Sequence, residues 1–163
     1  MLKGLNAIVT GSTSGIGLGI ANVLASKGAN LVINGFGDAA AIEAERANLE
    51  AKYGVKVVYS GADISKPSDV KAMVELCVSS FGSVDILVNN AGIQYTESVE
   101  NFPAERWDAI IAINLSGIFH AIQAALPHMK AKGFGRIINI ASVHGLIGST
   151  HKVAYVAAKH GVV

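Results

Sequence analysis

The chain has 163 residues, of which 51% are hydrophobic and 15% charged, with 18 glycines and a formal net charge of +1. That length supports one domain with a substantial core and is short for two, and the sparse charge suits a sheet buried on both faces by helices. With 13 basic and 12 acidic residues and no basic block, no nucleic acid or anionic lipid partner is expected, and the single cysteine, Cys77, leaves no intrachain disulfide.

In chain order, short β-rich runs at residues 5–10, 30–34, 56–60, 85–89 and 136–141 read as strands. Helical patterns follow each of them, at 17–27, 39–53, 66–81, 103–132 (as one helix or two) and from His151 onward. Alternation of this kind requires right-handed crossovers and gives an α/β, Rossmann-like, doubly wound parallel sheet. Ser65-Lys66-Pro67-Ser68-Asp69 offers capping hydroxyls and an early proline for the third helix, and Asn101-Phe102-Pro103-Ala104-Glu105 repeats the idea for the fourth. Cys77 falls in an apolar helical pattern with Val70, Met73, Val74 and Phe81, and Trp107 with Phe102, Ile110, Ile111 and Phe119; both patterns read as packing. No stretch reaches about 18 uninterrupted apolar residues and no targeting segment opens the chain, so a soluble, cytoplasmic protein is expected.

The first strand ends in Thr10-Gly11-Ser12-Thr13-Ser14-Gly15-Ile16-Gly17, and a helix begins at once. Glycines let the backbone turn sharply and approach a ligand, while the free amides and positive dipole of a helix start favour a pyrophosphate. The spacing G-x-x-x-G-x-G is a variant of the dinucleotide fingerprint; a plain strand-to-helix turn of small residues is the alternative. After the second strand, in Asn34-Gly35-Phe36-Gly37-Asp38, neither the acid that meets a ribose 2′-hydroxyl nor the arginine that meets a 2′-phosphate stands in its usual place. With no basic residue from 32 to 42, NAD is favoured over NADP; Phe36 can line the adenosine edge, and Asp38 lies far along for the acidic role. Asp63 reads either as an adenine contact or as a loop carboxylate or helix cap near Ser65.

At the other end, Tyr155 and Lys159 lie four apart on one helical face, so the ammonium is expected near the phenol, and Ser142 upstream can hold a substrate oxygen beside it. That is a pattern for proton transfer, with an ordinary helix surface as the alternative. The histidines have no metal-ligand spacing with a Cys, Asp or Glu set, so no catalytic metal is expected.

Taken in order, the glycine loop 10–17, Asn89-Asn90-Ala91-Gly92, Asn114, Ser142 and Tyr155-Val156-Ala157-Ala158-Lys159 resemble the short-chain dehydrogenases/reductases, from Leu5 to the last residue. The resemblance implies a catalytic set of Asn114, Ser142, Tyr155 and Lys159. Ser142 would hold the substrate oxygen, Tyr155 would take the alcohol proton as hydride leaves, Lys159 would bond the nicotinamide ribose, and Asn114 would support a water chain. It implies NAD contacts from Gly11, Thr13, Ser14, Gly15, Ile16, Gly17, Phe36, Asp63, Ile64, Asn90, Gly92, Tyr155 and Lys159. The Asn-Asn-Ala-Gly turn can equally serve to tie adjacent strands. Within the family, Gly92-Ile93-Gln94 and Ser142-Val143-His144-Gly145 are most similar to the bacterial branch that oxidises (R)-3-hydroxybutyrate to acetoacetate.

A lysine, an imidazole and an amide beside the reacting carbon suit a small carboxylate, and the resemblance makes Gln94, His144 and Lys152, with Ser142 and Tyr155, the substrate site. Their plain reading is a solvated lysine, a loop histidine and a capping glutamine. A 3-oxoacyl reductase or a sugar-alcohol dehydrogenase is the alternative within the family, and a non-catalytic dinucleotide-binding fragment the alternative outside it. Similar chains continue past the Tyr-Lys helix with a further strand, a substrate-covering loop and a strand used in tetramer contacts. On that resemblance, 1–163 is expected to be a single domain, incomplete at its C-terminal end, of a homo-tetramer.

Overall fold

The computed structural model describes all residues, Met1–Val163. Five parallel strands, β1 (Asn6–Val9), β2 (Asn30–Asn34), β3 (Val57–Ser60), β4 (Ile86–Asn89) and β5 (Arg136–Asn139), form one sheet in the order β3-β2-β1-β4-β5. Chain order reverses between β1 and β4, which opens a crevice beyond the carboxyl ends of those strands, where sheets of this kind take ligands. The doubly wound α/β expectation holds, and the strand and helix boundaries agree with the sequence reading to within a few residues.

Alternation along the strands sorts the core into two layers. Ile8, Val32 and Leu87 point to one face, where α3 (Pro67–Phe81) and α5 (Gly117–Lys132) cover them with Val70, Met73, Val74, Cys77, Ala121, Ala125 and Met129. Ala7, Val9, Leu31, Ile33, Ile86 and Val88 point to the other, under Ala21 and Ala25 of α1 (Gly15–Ser26) and Leu49 of α2 (Ala39–Tyr53). Strands buried on both faces have to read as continuous apolar runs, and β1, β2 and β4 do. Cys77 is fully buried as expected, and its surroundings push the thiol up to about 12, through burial first and the nearby Asp85 second.

Residues 104–132 form one helical run in three parts: α4 (Ala104–Ile111), a π-helical turn (Ala112–Ser116) and α5. By length and hydropathy it could cross a membrane, yet its buried side chains pack onto α3 and the sheet, as those of a core helix do. Wide turns of this kind mark places where a helix re-aims a residue. Here the turn buries Asn114, and at its end Gly117 lies so close to the loop after β3 that an added Cβ would stand 2.5 Å from Ile64 Cγ2. Trp107 and Phe119 depart from the packing expectation: both are exposed on this helix, while Phe102 packs edge-on against Tyr95 and Ile110 is buried. The third helix also differs at its start, because Ser65 donates its hydroxyl to Asp63 instead of capping, and Lys66 occupies the cap position with Pro67 behind it.

The last helix, α6 (Val153–Val162), sets Ala154 and Ala158 against Ile110 in a small third cluster. Strand β5 is paired on one side only, and all four of its residues are exposed.

Candidate active site

The crevice is a cleft of about 440 Å³ lined at its floor by the glycine loop, on one side by Asn34, Gly35 and Phe36, and on the other by Asn90 to Ile93, with Ala62, Asp63, Ile64 and Ile113 closing it. Gly11, Thr13, Ser14, Gly15, Ile16, Gly17, Phe36, Asp63, Ile64, Asn90 and Gly92 all line it.

Each wall is held by side chains bonded to main chain. Thr10 Oγ1 accepts from the amides of Asn90 and Ala91, both at 3.0 Å, and Asn90 Nδ2 donates back to the Thr10 and Gly11 carbonyls at 2.9 and 3.0 Å. Asn34, buried at the end of β2, accepts from the Gly11 amide at 3.2 Å and donates to the Ser60 and Ala62 carbonyls. Asn89 donates to Asn139 Oδ1 at 2.9 Å, tying β4 to β5. The asparagine turn therefore does tie adjacent strands. Its backbone can come close because Gly17 leaves room: a Cβ there would lie 2.1 Å from the Gly11 carbonyl oxygen and 2.5 Å from Asn90 Nδ2.

The start of α1 stands apart from the other long helix starts. Asp38 caps α2 by accepting from the Ala41 amide at 2.9 Å, and α3 carries Asp69 in its first turn. At α1 the Ser14 side chain makes no cap bond, no acid lies in the first turn, and the amides of Gly15, Ile16 and Gly17 have no partner. Gly15 has φ of +56°, and a Cβ there would meet nothing within 4 Å, so this side of the loop faces open space. A bare helix start with a positive dipole and an open glycine face fits a dinucleotide pyrophosphate. Asp38 is taken up by capping α2, and Phe36, 69% exposed, stands at the rim of the cleft.

Asp63 serves its own turn at the edge of the cleft. It lines the cleft, and its Oδ1 accepts from the Ser65 hydroxyl at 2.7 Å and amide at 3.0 Å, with Lys66 3.5 Å from Oδ2. These bonds, the Ser65 hydroxyl foremost, hold its carboxyl below the usual carboxylate range.

Beyond the cleft the residues that follow β5 and lie on α6 are more open. Asn114 is fully buried and bonds through both amide atoms to one residue: Oδ1 accepts from the Ile93 amide and Nδ2 donates to the Ile93 carbonyl, each at 2.9 Å. Ser142 Oγ accepts from the His144 amide at 3.2 Å, starting a short 3₁₀ turn (Val143–Gly145). The His144 ring meets the Tyr155 ring edge-on with centroids 6.2 Å apart, and its buried Nδ1 has no partner. Tyr155, half-buried on α6, makes no hydrogen bond through its hydroxyl.

Lys159 shares a face of α6 with Tyr155, and its ammonium is held from the other side by main chain. Only 4% exposed, it donates to the Ile140 carbonyl at 2.6 Å and lies 5.7 Å from the Tyr155 ring centroid. The charge sits beside the ring, drawn to an unpaired carbonyl at the end of β5, because a buried ammonium needs an acceptor at hydrogen-bonding distance. Burial lowers its pKa below the ordinary lysine value. Gln94 is exposed and Lys152 half-buried at the cap of α6, and no hydrogen bond joins either of them to His144. Ser142, His144 and Tyr155 thus come together, whereas Gln94 and Lys152 flank them on separate loops.

The cleft also has lining that sequence reasoning missed: Asn34, Gly35, Ala62, Ala91, Ile93 and Ile113. The signal for Asn34 was present, since an amide closing an apolar strand has to find partners when buried. Nothing in the sequence marked Ile113, which the helical run carries to the cleft from far along the chain.

A family model for short chain dehydrogenases matches residues 5–163. The chain is 60% identical, over its full length, to D-beta-hydroxybutyrate dehydrogenase of Cupriavidus necator and covers 62% of that protein. It is 54% identical over 96% of its length to the enzyme of that name from Rhizobium meliloti, covering 60% of it. At 41% identity over 97% of its length, it also matches 3-oxoacyl-[acyl-carrier-protein] reductase FabG of Staphylococcus aureus, covering 64% of it. A crystal structure from Sinorhizobium meliloti, described as a short-chain alcohol dehydrogenase, superposes with a TM-score of 0.93 at 32% identity, over 99% of this chain and 63% of that one. The chain spans about three fifths of the length of the curated relatives it matches. With the match reaching from the first strand through the tyrosine helix, the chain belongs to the short-chain dehydrogenase family.

Proposed function

We propose that this protein acts as an NAD-dependent dehydrogenase that oxidises a small 3-hydroxy acid, (R)-3-hydroxybutyrate, to acetoacetate. One observation carries the reading: the His144 ring, on the turn that Ser142 opens after β5, meets Tyr155, and the cleft beyond the carboxyl ends of the strands is floored by an uncapped helix start. The names of the relatives at 60% and 54% identity support the substrate class.

In this reading Gly15, Ile16 and Gly17 present their amides to the pyrophosphate, and Phe36 covers the adenosine. A bound nicotinamide supplies the hydride acceptor. Ser142 Oγ orients the substrate oxygen, and Tyr155 Oη, without an internal partner, receives the alcohol proton. Lys159 holds positive charge beside the ring, where it favours the phenolate that Tyr155 has to be before it can take that proton. Asn114 fixes Ile93, and with it the wall between cleft and substrate loop. Gln94, His144 and Lys152 receive the carboxylate, and the unpartnered His144 Nδ1 is available for it. The absence of any base from 32 to 42 favours NAD over a 2′-phosphorylated cofactor.

The test is reduction of NAD with each enantiomer of 3-hydroxybutyrate. Turnover of the (R)-acid alone is expected. The second reading, a 3-oxoacyl reductase, rests on the 41% identical relative and is adopted if an acetoacetyl thioester is reduced with NADPH and the free acid is ignored. Dinucleotide binding without either turnover would leave a non-catalytic module.

A further inference from the structure

His151 is the one residue other than glycine with a left-handed backbone, at φ of +59°. It precedes Lys152, whose own backbone opens α6. The left-handed turn presents the His151 carbonyl to the amide of Glu97, which donates to it at 2.8 Å. This is the single hydrogen bond between the loop that follows Gln94 and the loop that carries Ser142, His144 and Lys152. The Gln94 loop is fixed at two further points: Asn114 holds Ile93, and Tyr95 packs on Phe102 at 5.6 Å between centroids with the Arg106 guanidinium 5.3 Å from its ring centroid. Gln94 therefore lies on a segment anchored before and after it, and the third anchor is the clip to His151. The His151 side chain plays no visible part: it is exposed, bonds to nothing, and borders a shallow groove with Val99 and His160.

We infer that His151 is a positioning residue for substrate selection, acting through its backbone: its left-handed turn and the Glu97 clip set the separation of Gln94 and Lys152, and so the reach to a carboxylate beside the reacting carbon. This rests on the 3-hydroxy acid reading above. A residue in a left-handed conformation is strained unless it is glycine, less so for Asn or His than for Ala, and most for a β-branched side chain. Such strain persists where the surroundings over-determine it, and it concentrates at functional sites. The clip joins Glu97 and His151, neither of which lines the cleft, and Asn114 holds Ile93 independently of it, so loosening the clip acts on the acid and leaves the dinucleotide site alone.

The test is the series His151→Gly, His151→Asn, His151→Ala and His151→Val in the intact protein, with KM for (R)-3-hydroxybutyrate, KM for NAD and kcat measured for each, and 2-butanol as a neutral comparison substrate. The expected result is a KM for the acid that stays within about twofold in the Gly and Asn variants, rises severalfold in Ala and tenfold or more in Val, with kcat and KM for NAD within about twofold throughout. The preference for the acid over 2-butanol falls in the same order. Equal loss in Gly, Asn and Ala would assign the effect to the imidazole and overturn the inference. So would a silent series, or parallel changes in kcat and both KM values. Should the Val variant fail to fold, the Gly-to-Ala comparison decides alone. An unsubstituted enzyme that does not prefer the 3-hydroxy acid to 2-butanol removes the substrate reading first, which separates that failure from a failure of the clip.

Discussion

The two halves of the site are built on opposite plans. Around the cleft, Thr10, Asn34 and Asn90 bond to main chain and Asn89 to the Asn139 side chain, while the amides at the head of α1 stay open. Around Tyr155 the reverse holds: its hydroxyl is free, His144 Nδ1 is unpartnered, and Ser142 bonds only within its own turn. The difference teaches that a binding surface is fixed in advance by side chains bonded within the protein, whereas groups that react have to keep their valences open for the molecules they act on.

The sharpest way to break that contrast is at Tyr155. Tyr155→Phe removes one oxygen with no internal partner, so folding and dinucleotide affinity are expected to be unchanged while turnover falls by about 10³-fold or more. Steady-state kinetics beside a dinucleotide titration check this, and surviving activity would remove Tyr155 from the proton-transfer role.

Two glycines sharpen the other half. Gly17→Ala pushes a methyl into the Gly11 carbonyl and the Asn90 amide, neither of which can retreat without opening the wall, and is expected to cost about 3 kcal/mol. Gly15→Ala meets no atom but sits at positive φ, so it costs about 1 kcal/mol of stability and shows mainly as weaker dinucleotide binding. Denaturant unfolding and dinucleotide titration of the pair separate a glycine needed for packing from one needed for a ligand. Equal stability losses would mean that both serve the wall. Thr10→Val falls between the two glycines in its cost to stability: it keeps shape but strands the Asn90 and Ala91 amides, and about 2 kcal/mol is expected to be lost in the same unfolding measurement.

Which parts of this were legible in the sequence follows from the same contrast. The sheet order and glycine cradle could be read because buried strands and sharp turns impose local patterns, and α2 and β2 come out with the expected ends. Lys159 could not be placed from spacing alone, since four residues on a helix fix a shared face and say nothing of the Ile140 carbonyl that captures the ammonium. Ile113 and the π turn were hidden for a related reason. The turn depends on Asn114 meeting Ile93 and on Gly117 meeting Ile64, contacts across long stretches of chain that leave no periodic trace. Trp107 and Phe119 show the converse, an apolar helical pattern whose members do not all turn inward.

The smallest effect tests whether the cleft wall at Asp63 belongs to the pre-built half. Its carboxylate holds the turn into α3 through Ser65, with Lys66 adding charge, and its pKa lies below the ordinary value of 3.8. An acid whose folded pKa is depressed gives stability that is fully present above the ordinary value and is lost as pH falls through the lower, folded one. Asp63→Asn should therefore cost about 1 kcal/mol at neutral pH, and the gap to the unsubstituted protein should close as pH drops below 3.8. Unfolding midpoints taken at neutral pH and again in acid read this directly. If Asp63 only builds the wall, dinucleotide affinity at neutral pH moves no more than stability does. An affinity loss well beyond that, with the same small stability change, would put Asp63 among the groups kept open for a ligand and shift the boundary between the two halves to the far side of β3.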